Sequence, residues 1–236
     1  MYYSTGFHDC LGNLVVLASA HSEAPVRSEK DLAHGLRGFA ASTNVIPFPD
    51  GELHLVTDED RLRTLAPYYH REPTGLNGSL GAPPESAKLF WDGLRLLPQQ
   101  AQRLLSLLVS EVAFYDGTVV DSGSAALGGQ LGTICIAPAP SWKPSDIAEC
   151  VIHEMTHILL RCDEYRYGHY PDPEEASREQ MFSPTAVTRA VRSPAIVFHS
   201  LIVAAEVIGL REELHNTTSS SSSLAGFFLT REDQNS

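Results

Sequence analysis

His153, Glu154 and His157 carry the first recognisable chemistry in this chain, set in the run Val151-Ile152-His153-Glu154-Met155-Thr156-His157-Ile158-Leu159-Leu160. At about 100° per residue, two histidines four positions apart lie within roughly 40° of each other on one helix face, so both imidazoles can reach a single metal ion. Glu154 sits beside them, where a carboxylate can act as a base or orient a ligand. Ile147, Val151, Met155 and Ile158 occupy the opposite arc, so one face packs while the other looks into a site. A chance H-E-x-x-H on a surface helix would usually have polar flanks instead.

Two imidazoles do not hold a catalytic ion well, because such sites normally take three protein ligands and keep a position open for water or substrate. Asp163 stands six residues after His157, where an extended form of the motif has a third histidine. Glu174, Glu175 and Glu179 have about the sequence distance of a thermolysin-like third ligand, but Tyr170-Pro171-Asp172-Pro173-Glu174-Glu175 reads as an exposed acidic loop. His199 interrupts the apolar run Ala195-Ile196-Val197-Phe198-His199-Ser200-Leu201-Ile202-Val203, where an unsatisfied polar group would be costly. It is the preferred third ligand; the alternative is a core histidine bonded to backbone. Glu206 projects from nearly the same face, but two turns separate it from His199, about 10 Å along the axis, so the two do not share one ion.

The elements that must position these residues are legible mainly in the second half. Leu104, Leu105, Leu108, Val109 and Val112 recur at helical spacing after Pro98, which predicts a helix. Asp116-Gly117 reads as a turn, Thr118-Val119-Val120 as a short strand, and Leu131-Gly132-Thr133-Ile134-Cys135-Ile136-Ala137 as a buried strand stopped by Pro138. After Pro144, Ser145 as N-cap and Asp146 at the positive end of the dipole open a helix through about Leu160. Ser193-Pro194 starts another, Ala195 to about Leu214. Residues 1–94 are irregular in pattern, and Leu14-Val15-Val16-Leu17 fits strand or helix. The fold class expected is α+β: a mainly helical single domain, 1–215, with a small β-sheet beside the metal-binding helix and motifs confined to 95–215. A Ser-rich flexible tail, 216–236, follows.

Composition narrows the function classes. The chain has 236 residues, 43% hydrophobic and 19% charged, which suits one globular core. Its net charge of −12 disfavours nucleic acid and anionic membrane as partners, since either polyanion would be repelled. No run approaches the roughly 20 apolar residues of a membrane span, and Met1-Tyr2-Tyr3-Ser4-Thr5-Gly6 lacks a basic and apolar leader, so the expected location is cytoplasmic. Cys10, Cys135, Cys150 and Cys162 lack C-x-x-C spacing and are expected to be mostly buried thiols.

Taken together, Gly132-Thr133-Ile134-Cys135-Ile136-Ala137-Pro138, the helix Ile152-His153-Glu154-Met155-Thr156-His157, and the later Ser183-Pro184, Arg189, Arg192, Ser193-Pro194 and His199 resemble a known family. It is the H-E-x-x-H family of peptide-modifying proteins found with ribosomally made natural-product precursors, described as Fe(II)- and 2-oxoglutarate-dependent peptide β-hydroxylases. The resemblance covers about residues 95–215; the chain differs in having Arg-Ser-Pro for Arg-Pro and no tryptophan before the arginines. It implies a dioxygenase with Fe(II) on His153, His157 and His199 and a precursor peptide as partner. Arg192, with Arg189 as second choice, would meet the distal carboxylate of 2-oxoglutarate. Glu154 would then orient a histidine or touch substrate. The motif's commonest use gives the alternative, a zinc metallopeptidase with Glu154 as general base.

Overall fold

Apolar residues at helical spacing account for most of the regular structure, and a four-stranded sheet with an exposed two-stranded ribbon makes up the remainder. A computed structural model describes residues 2–22, 25–42, 53–69, 79–120, 122–126, 132–170, 183–185 and 189–217, and its architecture is α+β. In chain order the elements are α1 (Tyr2–Thr5), α2 (Phe7–Ala20), α3 (Glu29–Ser42), β1 (His54–Val56), α4 (Glu59–Tyr69), α5 (Pro84–Leu96), α6 (Gln99–Leu108) and β2 (Glu111–Phe114). There follow β3 (Gly123–Ala126), β4 (Thr133–Ala137), α7 (Pro144–Tyr167), β5 (Ser183–Pro184), β6 (Val191–Arg192) and α8 (Pro194–Thr217).

The sheet runs β1-β2-β4-β3, with β1, β2 and β4 parallel and β3 antiparallel on the outer edge. Every residue of β4 is buried, as a central strand covered on both faces requires, and this matches the apolar run that predicted it. The helix expected to reach Val112 ends at Leu108 instead, and Val112 lies in β2, paired with Leu55 on one side and Ile134 on the other. Its four-residue spacing from Leu108 was coincidence: a strand buried between two neighbours is apolar throughout and satisfies any period. Thr118-Val119-Val120 is a turn rather than a strand. The Asp116 carbonyl accepts the Val119 and Val120 N–H groups and its side chain accepts that of Thr118, an arrangement that closes the chain on itself.

The N-terminal third, irregular by pattern, carries helices α1 to α5 around the short strand β1. Leu14-Val15-Val16-Leu17 belongs to α2, whose Phe7, Cys10, Leu14 and Leu17 are buried at three- and four-residue steps. All four cysteines are buried and none is bridged.

Helix α7 begins at Pro144, with Asp146 accepting the Lys143 backbone N–H at 2.7 Å, so Lys143 rather than Ser145 is the cap. It runs past Leu160 to Tyr167, because Gly168, at φ 61°, is the first residue to take the left-handed turn that ends a helix. Ile147, Val151, Met155 and Ile158 are all buried, as the wheel predicted. Gly93 lets α5 close onto this helix, since a Cβ there would stand 2.6 Å from that of Ile147.

Helix α8 packs along α7 and against α1. Glu206, fully buried, accepts the Tyr3 backbone N–H at 2.6 Å, and Tyr3 Oη donates to Glu213 at 2.9 Å. By length and mean hydropathy (1.5) the segment Pro194–Asn216 has the composition of a membrane span, a weak signal that core helices also give. Its inward side carries Glu206 and Arg211 in protein contacts, and its outward side exposes Ile196, Leu201 and Ile208. Glu174, Glu175, Glu179 and the serine run Ser219 to Ser223 lie outside the described residues.

Candidate metal centre

One turn of α7 brings the two motif histidines together with their Nε2 atoms 3.3 Å apart. Nitrogens bound at about 2.0–2.1 Å to one tetrahedral ion stand about 3.3–3.4 Å from each other, so this pair has the separation that ligation requires. His153, Glu154 and His157 each offer a donor atom within 4.8 Å of the others. Burial pushes His153 down to about 3, with His157 adding to the effect. Burial, then the neighbouring His199 and Arg161, lowers His157 to about 4. Both rings are therefore neutral at pH 7, the form that binds metal.

His199, from α8, comes up beside His157. Its Nδ1 lies 3.3 Å from Nδ1 of His157, the two rings stacked at 24°, and its Nε2 lies 2.7 Å from Oε1 of Glu164. His157 thus stands in the middle, with Nε2 toward His153 and Nδ1 toward His199. As the rings are oriented, His199 is outside the tight cluster of His153, Glu154 and His157. In an imidazole, Cε1 lies between the two nitrogens, and a half-turn about Cβ–Cγ exchanges it with Nε2. Such a half-turn would set Nε2 of His157 between the two positions its nitrogens now occupy, so ligation of one ion by all three rings requires His157 to reorient.

Glu154 is 2% exposed and faces the edge strand, where its Oε1 accepts from Ser124 Oγ at 2.6 Å. The same atom is 3.8 Å from His153 Nε2, near but beyond hydrogen-bond reach. Burial raises its carboxyl to about 7, against the opposing hydrogen bonds of Ser124 and the Ala126 backbone N–H. A carboxyl raised on folding stabilises the protein below its unfolded value, and this contribution is lost as pH climbs through about 7. In chelator-treated protein, Glu154→Gln should therefore gain stability over wild type between about pH 5 and pH 8, by at most about 3 kcal/mol. Urea denaturation at both pH values measures it; a wild-type-minus-variant difference that does not change with pH would refute it.

The other sequence candidates fall elsewhere. Asp163 accepts from Asn13 Nδ2 at 2.7 Å and lies 2.8 Å from His169 Nε2; six residues after His157 it lies about 120° around the helix from the histidine face. Arg192 is exposed on β6, its Nη1 3.4 Å from the Val191 carbonyl, and Arg189 is exposed with φ 55°. Among the described residues no hydrogen bond or ion pair joins Arg192 to the three histidines, so the expected anion-binding role has no geometric support in this arrangement. Sequence reasoning passed over Glu164 and Ser124. Glu164 was findable: seven residues after His157 is about 20° short of two full turns, hence the same face. Ser124 gave no signal, because nothing in Gly123-Ser124-Ala125-Ala126 marks a strand. No protein-family model matches this chain, and no curated protein matches it either.

Proposed function

We propose that His153, His157 and His199 hold one metal ion, and that the chain is a non-haem Fe(II)- and 2-oxoglutarate-dependent dioxygenase that hydroxylates Cβ of a residue in a ribosomally made precursor peptide in the cytoplasm. The observation that carries the reading is the third imidazole, delivered from a second helix with its far nitrogen on a carboxylate, as ligating histidines usually are. The resemblance over residues 95–215 supplies the choice of iron and cosubstrate. Bound Fe(II) with 2-oxoglutarate and O₂ supplies oxidation of an unactivated C–H bond, leaving succinate and CO₂. The protein's own contribution is to hold His153 and His157 neutral, to bring His199 beside them, and to keep Glu154 next to the pair, tethered to β3 by Ser124. Arg192, one residue before the cap of α8, is the side chain proposed to move onto the distal carboxylate of the cosubstrate.

Protein purified without oxygen and loaded with Fe(II) is expected to develop a visible charge-transfer band on adding 2-oxoglutarate. With a precursor peptide it should form succinate and add one oxygen to the peptide mass. An iron-loaded protein that neither binds nor consumes 2-oxoglutarate sinks the proposal.

A second reading, a zinc metallopeptidase, is favoured by Glu154, whose buried carboxyl near 7 beside the histidine pair suits a general base. Its mark would be peptide-bond cleavage by the zinc-loaded chain that disappears in Glu154→Gln while zinc stays bound.

A further inference from the structure

The contact between His199 and Glu164 lies on the far side of the ring from the proposed metal, and it decides which nitrogen His199 can offer. Glu164 is on α7, the motif helix, seven residues beyond His157, whereas His199 is on α8. Oε1 of Glu164 is 2.7 Å from His199 Nε2, and Oε2 accepts from Arg161 Nη1 at 2.9 Å. The Glu164 carboxylate thus sits between an imidazole nitrogen and a guanidinium, with one oxygen on each. An ionised carboxylate only accepts hydrogen bonds, so the ring nitrogen facing it must carry the proton. The lone pair of a neutral His199 then resides on Nδ1, the atom that faces His157 at 3.3 Å.

We propose that Glu164, braced by Arg161, is a positioning residue that fixes His199 as the Nε2–H tautomer and so makes Nδ1 its metal-binding atom. The proposal rests on the reading of His199 as the third ligand. It also gives the site an asymmetry: His153 presents Nε2 toward its neighbour, while His199 presents Nδ1. A carboxylate on α7 thereby orients a ligand supplied by α8, so the two helices must be in register for the site to form.

The test uses the full chain and the variants Glu164→Ala, Glu164→Gln and His199→Ala. Nitrogen-15 correlation spectra of the metal-free protein at pH 8 read the histidine tautomers directly, with His199→Ala assigning the resonance. The expected result is Nε2–H for His199 in wild type and a mixed population in Glu164→Ala. Glu164→Gln retains an accepting oxygen and should restore much of the wild-type tautomer preference. Competition titration with Co(II) should show a 10- to 100-fold loss of affinity in Glu164→Ala, the usual size for removing such a partner, with partial rescue in Glu164→Gln. A wild-type His199 protonated at Nδ1, or a tautomer and affinity unchanged in both Glu164 variants, overturns the proposal while leaving the metal site standing. A wild type that binds no Co(II) overturns the site instead, and the metal-free spectra still decide the role of Glu164. Should Glu164→Ala fail to fold, Glu164→Gln and Arg161→Ala carry the same comparison, a shift of tautomer in Arg161→Ala supporting the brace and none removing Arg161 from the proposal.

Discussion

Protein carrying His157→Ala is expected to emerge from purification with essentially no transition metal, where wild type holds about one ion per chain. The loss should exceed that of His153→Ala or His199→Ala because His157 is the shared neighbour: its ring is 3.3 Å from each of the others, on opposite nitrogens. Removing either outer histidine leaves an adjacent pair, whereas removing the middle one leaves two rings with no common partner. A second readout follows from linkage. At metal concentrations about 100-fold above the dissociation constant, binding to the folded state alone adds about 2.7 kcal/mol, so wild type should gain several degrees in melting temperature on adding metal and His157→Ala should gain none. Glu154→Gln, whose side chain the oxygenase reading leaves off the metal, should retain both the ion and the gain. Elemental analysis of anaerobically purified protein and thermal melts with Fe(II), Co(II) and Zn(II) decide the matter. Stoichiometric metal in His157→Ala would mean that the ion, if there is one, sits elsewhere.

The parts of this protein written in local periodicity were legible and the parts written in long-range pairing were not. His153, His157 and the buried arc behind them followed from a spacing of four on a helix, and β4 followed from an apolar run between turn residues. His199 stood out because an apolar environment makes an imidazole conspicuous, though its ring orientation and its partner Glu164 depend on how α7 and α8 meet across 35 residues of sequence. The edge strand β3 is made of glycine, serine and alanine and owes its conformation to pairing with β4, so propensity could not announce it. The N-terminal helices were obscured for a related reason: α2 buries its face on elements such as α3 and α7 that are read only once the chain is folded. Glu206 and Tyr3, 203 positions apart, illustrate the limit, since neither residue hints at the other.

The largest effect on stability is expected away from the metal, at Arg211. Helices α7 and α8 are cross-linked at two levels, Glu164 to His199 at one and Glu149 to Arg211 at the other. At the second, Nε and Nη2 of Arg211 approach the two oxygens of Glu149 at 2.7 and 2.8 Å, a bidentate pair in which Glu149 is fully buried. Burial pushes the Glu149 carboxyl upward and the guanidinium pulls against it. Arg211→Met keeps the apolar stem and deletes the charge, which leaves a buried carboxylate without its counter-ion and should cost about 3–5 kcal/mol. With Arg211 gone, the carboxyl rises further, so the variant should be relatively less impaired at acid pH, where Glu149 folds protonated, and progressively worse as pH increases. Glu149→Leu combined with Arg211→Met removes both charges, and it should recover to within about 1 kcal/mol of wild type, since a packed apolar pair of similar size often matches a buried ion pair. Urea unfolding of the three proteins at two pH values provides the cycle. A single variant as stable as wild type, or a double variant no better than the single, would show that the pair contributes little to holding α8 against the motif helix.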